Sequence, residues 1–96
     1  MQGYNKEAQR ELYKAISSLR DADECAAFFD DLCTINEIIA MSQRFEAAKR
    51  LDKGENYKVI SAETGISSGT ISRVSRCINF GNGGYKMVLD RMYAEE

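Results

Sequence analysis

The sequence predicts an all-α fold of six helices. Three observations predict it: apolar residues recur at three- and four-residue spacing, no stretch alternates with period two, and helix start and stop residues stand where the spacing breaks. A chain of 96 residues makes one small domain, 1–96, with a thin core that would gain from a partner subunit. The expected division is 1–54 for N-terminal dimerisation and central helices, 55–78 for a helix-turn-helix and 85–95 for a C-terminal helix.

The first helix follows from Tyr4, Ala8, Leu12, Ala15, Ile16 and Leu19, which place one apolar stripe on an amphipathic helix. Asp21-Ala22-Asp23-Glu24 then supplies capping oxygens and early negative charge for a second helix, expected to bury Cys25, Phe28, Phe29 and Leu32. Thr34-Ile35-Asn36-Glu37 fits a capping box and starts the third helix. Ile38, Met41, Phe45 and Ala48, widened by Ile39 and Leu51, carry this helix to about residue 53, where Gly54 offers a stop. At about 19 residues it is the longest element and a central strut.

Shorter elements follow: a helix at 57–64, a turn at Gly65-Ile66-Ser67 and a helix from about 68 to 77. Gly81-Asn82-Gly83-Gly84 reads as a connector, because no strand precedes it and it lacks the spacing of a phosphate-binding loop. The final helix carries Tyr85, Met87, Val88, Leu89, Met92 and Tyr93.

Composition narrows the function. Apolar residues make up 44% and charged residues 29% of the chain, which places it with globular rather than disordered proteins. No apolar run approaches the roughly 18 residues of a membrane span and no signal-peptide core is present, so a cytoplasmic protein without membrane contact is expected. Cys25, Cys33 and Cys77 are widely spaced with no histidine beside them, and read as reduced, mostly buried thiols rather than metal ligands. The absence of histidine also removes the commonest general base. Asp30 and Asp31 point about 100° apart on a helix, as a solvated face does. No enzyme is expected.

The net charge of −2 hides an asymmetry. Residues 1–41 carry four basic and eight acidic side chains, residues 42–76 seven and four, and residues 77–96 two and three. Only the middle segment is positive, and it contains Thr64-Gly65-Ile66-Ser67-Ser68-Gly69-Thr70-Ile71-Ser72-Arg73. Two short helices joined by a three-residue turn make a helix-turn-helix. The turn needs a residue that tolerates positive φ, and Gly65 supplies it. Ser61 is small where the helices cross, and Ile60, Ile66, Ile71 and Val74 lock them together. Ser67, Ser68, Gly69, Thr70 and Ser72 then line the reading end of the second helix, where short hydroxyl side chains approach base edges and phosphates. Lys58 and Arg76 are the expected phosphate contacts.

Asp31 to Met92, and with the N-terminal helices nearly the whole chain, resembles the YerC/YecD family of Trp-repressor-like proteins, most specifically in Gln43-Arg44-Phe45-Glu46-Ala47-Ala48-Lys49, Glu63-Thr64-Gly65, Thr70-Ile71-Ser72-Arg73-Val74 and Gly84-Tyr85. The resemblance implies the six-helix Trp-repressor fold, with the N-terminal helices of two copies intertwined in a homodimer that presents two helix-turn-helix units to a two-fold symmetric operator. It implies a sequence-specific DNA-binding transcriptional regulator, expected to act as a repressor; the alternative is a protein-interaction dimer whose helix-turn-helix binds DNA weakly or not at all. The resemblance also marks Arg44 and Arg73 as a possible ligand pocket, matching two arginines that hold tryptophan in Trp repressor. Val74 stands where that protein has a glycine giving the indole room, and Cys77 where it has a serine that helps bind the amino group. A β-branched side chain fills the indole space and the lost polar partner weakens amine binding. No cofactor is expected, tryptophan included.

Overall fold

The computed structural model describes Gly3 and residues 5–94. Tyr4, expected on the first apolar stripe, and residue 95, expected in the last helix, lie outside the described residues. Six helices appear in order: α1 Lys6–Ser17, α2 Ala22–Leu32, α3 Ile35–Asp52, α4 Tyr57–Thr64, α5 Ser68–Phe80 and α6 Gly84–Tyr93. No strand occurs among the described residues. They form two compact units divided after Ile38, within the first turn of α3.

In the first unit, local chemistry sets the helix starts. The Asn5 side chain accepts the Ala8 N–H at 2.9 Å and begins α1. Asp21 accepts the Glu24 N–H at 2.8 Å, and Glu24 reaches back to the Arg20 N–H at 2.9 Å, so that one carboxylate pair satisfies donors the helix cannot. Neither α1 nor α2 contains a buried residue. This corrects the expected burial: Phe28 and Phe29 are half-buried, their rings edge-on at 5.9 Å, while Cys25 and Leu32 are exposed. On the first stripe Leu12, Ala15, Ile16 and Leu19 are half-buried and Ala8 is exposed. Helices of 12 and 11 residues do not enclose a core by themselves. The cysteines are free as expected, but Cys25 and Cys77 are exposed and Cys33 half-buried, so burial was the wrong expectation for them in a single chain.

The capping box at the start of α3 forms in both directions. The Thr34 hydroxyl accepts the Glu37 N–H at 3.1 Å, and the Glu37 carboxylate accepts the Thr34 N–H at 2.8 Å. At the other end the Glu55 N–H reaches the Arg50 carbonyl at 3.1 Å and the Gly54 N–H reaches the Leu51 carbonyl at 3.0 Å, a Schellman motif that ends the helix. The helix is 18 residues long, close to the expected 19.

The second unit has a true core of Ala47, Ala48, Ile60, Ile66, Ile71, Val74 and Leu89, with Phe45, Leu51, Ile78, Tyr85 and Tyr93 packed against it. Ile60, Ile71 and Val74 are fully enclosed, each contributing about 1.5–3 kcal/mol over an exposed position. The α3 stripe is shifted from its expected centre: the adjacent pair Ala47 and Ala48 is buried, whereas Ile39 is 48% exposed.

Helix α5 runs three residues beyond the expected 77, to Phe80. Nothing in Ile78-Asn79-Phe80 breaks a helix, and the stop waits for Gly81. The Gly81 N–H bonds the Cys77 carbonyl at 2.9 Å, and a Cβ at position 81 would lie 2.3 Å from that oxygen. Only glycine fits. Helix α6 begins at Gly84, one residue before the expected 85.

Candidate nucleic-acid interface

The helix-turn-helix is built from the turn outward. Asn56 caps α4 by accepting the Val59 N–H at 2.9 Å. Gly65 adopts φ 77°, the left-handed conformation that side chains disfavour, and its N–H bonds the Ser61 carbonyl at 2.9 Å. The Thr64 hydroxyl donates to the Ile60 carbonyl at 2.6 Å and accepts the Ile66 N–H at 3.1 Å. Ile66 is buried, which pins the turn to the core below it. Each of the four apolar residues expected to lock the motif, Ile60, Ile66, Ile71 and Val74, is buried.

Ser67 caps α5. Its hydroxyl accepts the Thr70 N–H at 3.2 Å and donates to the Thr70 hydroxyl at 3.0 Å. Those bonds give Ser67 a structural task in addition to its exposed position. Removing the cap with Ser67→Ala is expected to cost about 1 kcal/mol and to lower Tm by about 4–8 °C, readable by thermal unfolding in circular dichroism. An unchanged Tm would mean that the Ser67 cap adds nothing to the hold that Thr64, Gly65 and Ile66 already have on the turn.

Around this end five of the seven predicted residues line two recesses, and Ser67 and Thr70 line neither. Lys58 and Ser68 line one with Tyr57, Ser61 and Ala62. Gly69, Ser72 and Arg76 line the other with Arg73. Lys58, Ser67, Ser68, Gly69, Ser72 and Arg76 are exposed, while Thr70 is half-buried. A Cβ at Gly69 would meet nothing within 4 Å, so the surface there is open to an approaching molecule. Tyr57, beside Lys58 and not among the predicted site residues, is 41% exposed and lines the same recess.

The charges sort by pairing. Lys49 is held by Glu46 at 3.1 Å, Lys86 by Asp52 at 3.3 Å and Asp90 at 3.2 Å, and Arg50 by three carboxylates. Hydrogen bonds from Arg50 and then Lys49 hold the Glu46 carboxyl below its ordinary value. Lys58, Arg73 and Arg76 form no ion pair among the described residues, and α5 contains no acidic residue. The first turn of α5 therefore presents the positive end of the helix dipole beside unpaired cations, an arrangement that attracts phosphate.

Arg44 and Arg73, marked as a ligand pair, are both exposed. The recess that Arg73 lines does not include Arg44. Val74 is 1% exposed and belongs to the core. No cluster of three or more histidine, cysteine or acidic side chains is placed to hold a metal ion among the described residues.

Known proteins share this architecture. Residues 7–93 match the family model of the Trp repressor protein. The chain is 54% identical over 86 residues to the uncharacterized protein YerC of Bacillus subtilis (strain 168), covering 90% of this chain and 83% of that one. A crystal structure of a TrpR-like protein from Eubacterium eligens superposes with a TM-score of 0.87 at 50% identity, covering 94% of this chain and 93% of that one. A candidate Trp repressor from Staphylococcus aureus gives 0.88 at 49% identity, with 93% and 89% covered. Sequence and backbone agree along nearly the whole length, and on that agreement the chain belongs to the Trp repressor family, alongside YerC.

Proposed function

We propose that this protein is a transcriptional regulator, acting as a repressor, that binds a specific double-stranded DNA operator as a homodimer. The observation that carries the reading is the exposed, acid-free face of α5 at Ser68, Gly69, Ser72, Arg73 and Arg76, with Lys58 near it, the three cations forming no ion pair among the described residues. Ser68, Gly69, Thr70 and Ser72 face the groove, and the three cations meet phosphates on either side. In this reading Arg73 serves DNA rather than a small ligand, and the buried, β-branched Val74 next to it is expected to fill the space an indole would need.

The homodimer is supported by apolar surface that one chain leaves open. Leu32 is 48%, Ile35 68% and Phe80 85% exposed. An apolar groove of about 570 Å³ lies among Phe45, Cys77, Tyr85, Met87 and Val88. A second copy covers such faces and doubles the reading heads. The family's regulatory role and the absence of a membrane-length apolar helix among the described residues support a place beside the nucleoid in the cell interior.

Selection from sheared host DNA at about 50 and 200 mM salt tests the proposal, because phosphate contacts alone weaken steeply over that range. Recovery of a few fragments that share a near-palindrome, with half-sites roughly 34–36 Å apart or a multiple of it, is the expected result. Uniform recovery that vanishes at the higher salt would overturn it in favour of a protein-interaction dimer.

A further inference from the structure

The Arg50 guanidinium, in the last turn of α3, joins three successive parts of the chain. Its Nε donates to Glu46 Oε2 at 3.0 Å within α3, and its Nη1 donates to Glu55 Oε1 at 3.1 Å in the connection and to Glu63 Oε1 at 2.6 Å in the last turn of α4. The Arg50 side chain is 23% exposed, and the carboxylates are more open. The contact between Arg50 and Glu63 spans 13 residues of sequence.

Helix α4 has eight residues and buries only Ile60. Ile60 shares the core cluster with the small Ala47 and Ala48, and apolar burial is favourable but non-directional. A planar guanidinium shared among fixed carboxylates is directional. Glu46 braces the guanidinium from one side and leaves Nη1 aimed at Glu55 and Glu63.

We infer that Arg50 is a positioning residue for DNA recognition: by clasping Glu63 it sets the direction of α4 on α3, and with it the angle at which α5 is offered to the groove. The inference rests on the proposed DNA-binding function and adds a determinant outside the reading surface. Arg50 is shielded more than its partners and shared among three carboxylates, so its bonds form a charge-assisted network rather than an isolated surface pair.

Glu63→Gln separates this from simple electrostatics. Removing a carboxylate makes the chain less acidic, and charge alone would tighten binding to DNA. The clasp predicts the opposite sign: affinity for the fragment selected from host DNA falls about tenfold, with far-ultraviolet circular dichroism unchanged, while Glu7→Gln on α1 does not weaken binding. Arg50→Lys keeps the charge without the planar fork and should lose most of the same affinity. Hydrogen exchange without DNA supplies the second readout, with the Ile60 and Gly65 amides expected to exchange about tenfold faster in Glu63→Gln and α1 amides unchanged. Unchanged exchange at Ile60 and Gly65 would overturn the clasp. Faster exchange with equal or tighter specific binding would overturn its role in recognition. If the wild-type chain selects no DNA fragment, the proposed function fails and the recognition role falls with it; that case is distinguished by failure of the unaltered protein.

Discussion

Thr70→Glu is expected to keep the helical fold and to weaken specific DNA binding by about 100-fold or more. Thr70 is the third residue of α5 and Ser67 is its cap, through a hydroxyl that accepts the Thr70 N–H at 3.2 Å. A glutamate at this position completes the capping-box pattern, able to reach back to the Ser67 N–H, and it places negative charge at the positive end of the helix. Both effects favour the helix. On the proposed DNA face the same charge meets phosphates and acceptor-rich base edges, where like-charge juxtaposition costs several kcal/mol. A titration against the selected operator fragment, with thermal unfolding beside it, checks the pair of expectations. Unchanged affinity would mean that the first turn of α5 does not face DNA.

The second large effect concerns the open apolar faces. Ile35→Asp and Met92→Lys are each expected to convert a dimer into single chains, weakening association by more than about 100-fold. In one chain both changes are mild. Ile35 is 68% exposed in the first turn of α3, where an acidic residue is favoured, and Met92 is 56% exposed in the last turn of α6, where a basic one is favoured. Surface substitutions of that kind usually stay within about 0.5 kcal/mol. Against a partner's apolar surface each charge would be taken out of water, at an effective cost of several kcal/mol. Sedimentation equilibrium reads the mass directly. A variant that still sediments as two chains shows that its position lies outside the interface, and an unaltered protein that sediments as one chain overturns the homodimer.

The features legible in the sequence were those whose requirements are local. The capping box needs Thr34 and Glu37 three residues apart, and both of its bonds form. The turn needs a residue that accepts positive φ, and Gly65 at φ 77° provides it between Ile60 and Ile66, both buried. Six helices, the bounds of α4 and the four apolar residues that lock the helix-turn-helix followed from spacing alone. Three- and four-residue periodicity names the apolar side of a helix, because backbone geometry sets which side chains share a face.

Periodicity does not say whether anything covers that face. Cys25 and Leu32 lie on an apolar stripe yet remain exposed in a single chain, because burial depends on a surface outside the helix that bears them. The unexpected run of α5 to Phe80 ends at Gly81, whose N–H caps the Cys77 carbonyl at a point where an added Cβ would lie too close to that oxygen, a requirement that exists only once the helix is closed. Pairing of charge was equally hidden. The sequence marks residues 42–76 as positive, but only the tertiary structure commits Arg50 to Glu63 and leaves Lys58, Arg73 and Arg76 unpaired around α5. The sequence by itself determined the helices, their caps and the turn, through forces acting over a few residues. Which apolar faces stay open and which cations stay unpaired were decided by tertiary structure, since both depend on groups distant in sequence.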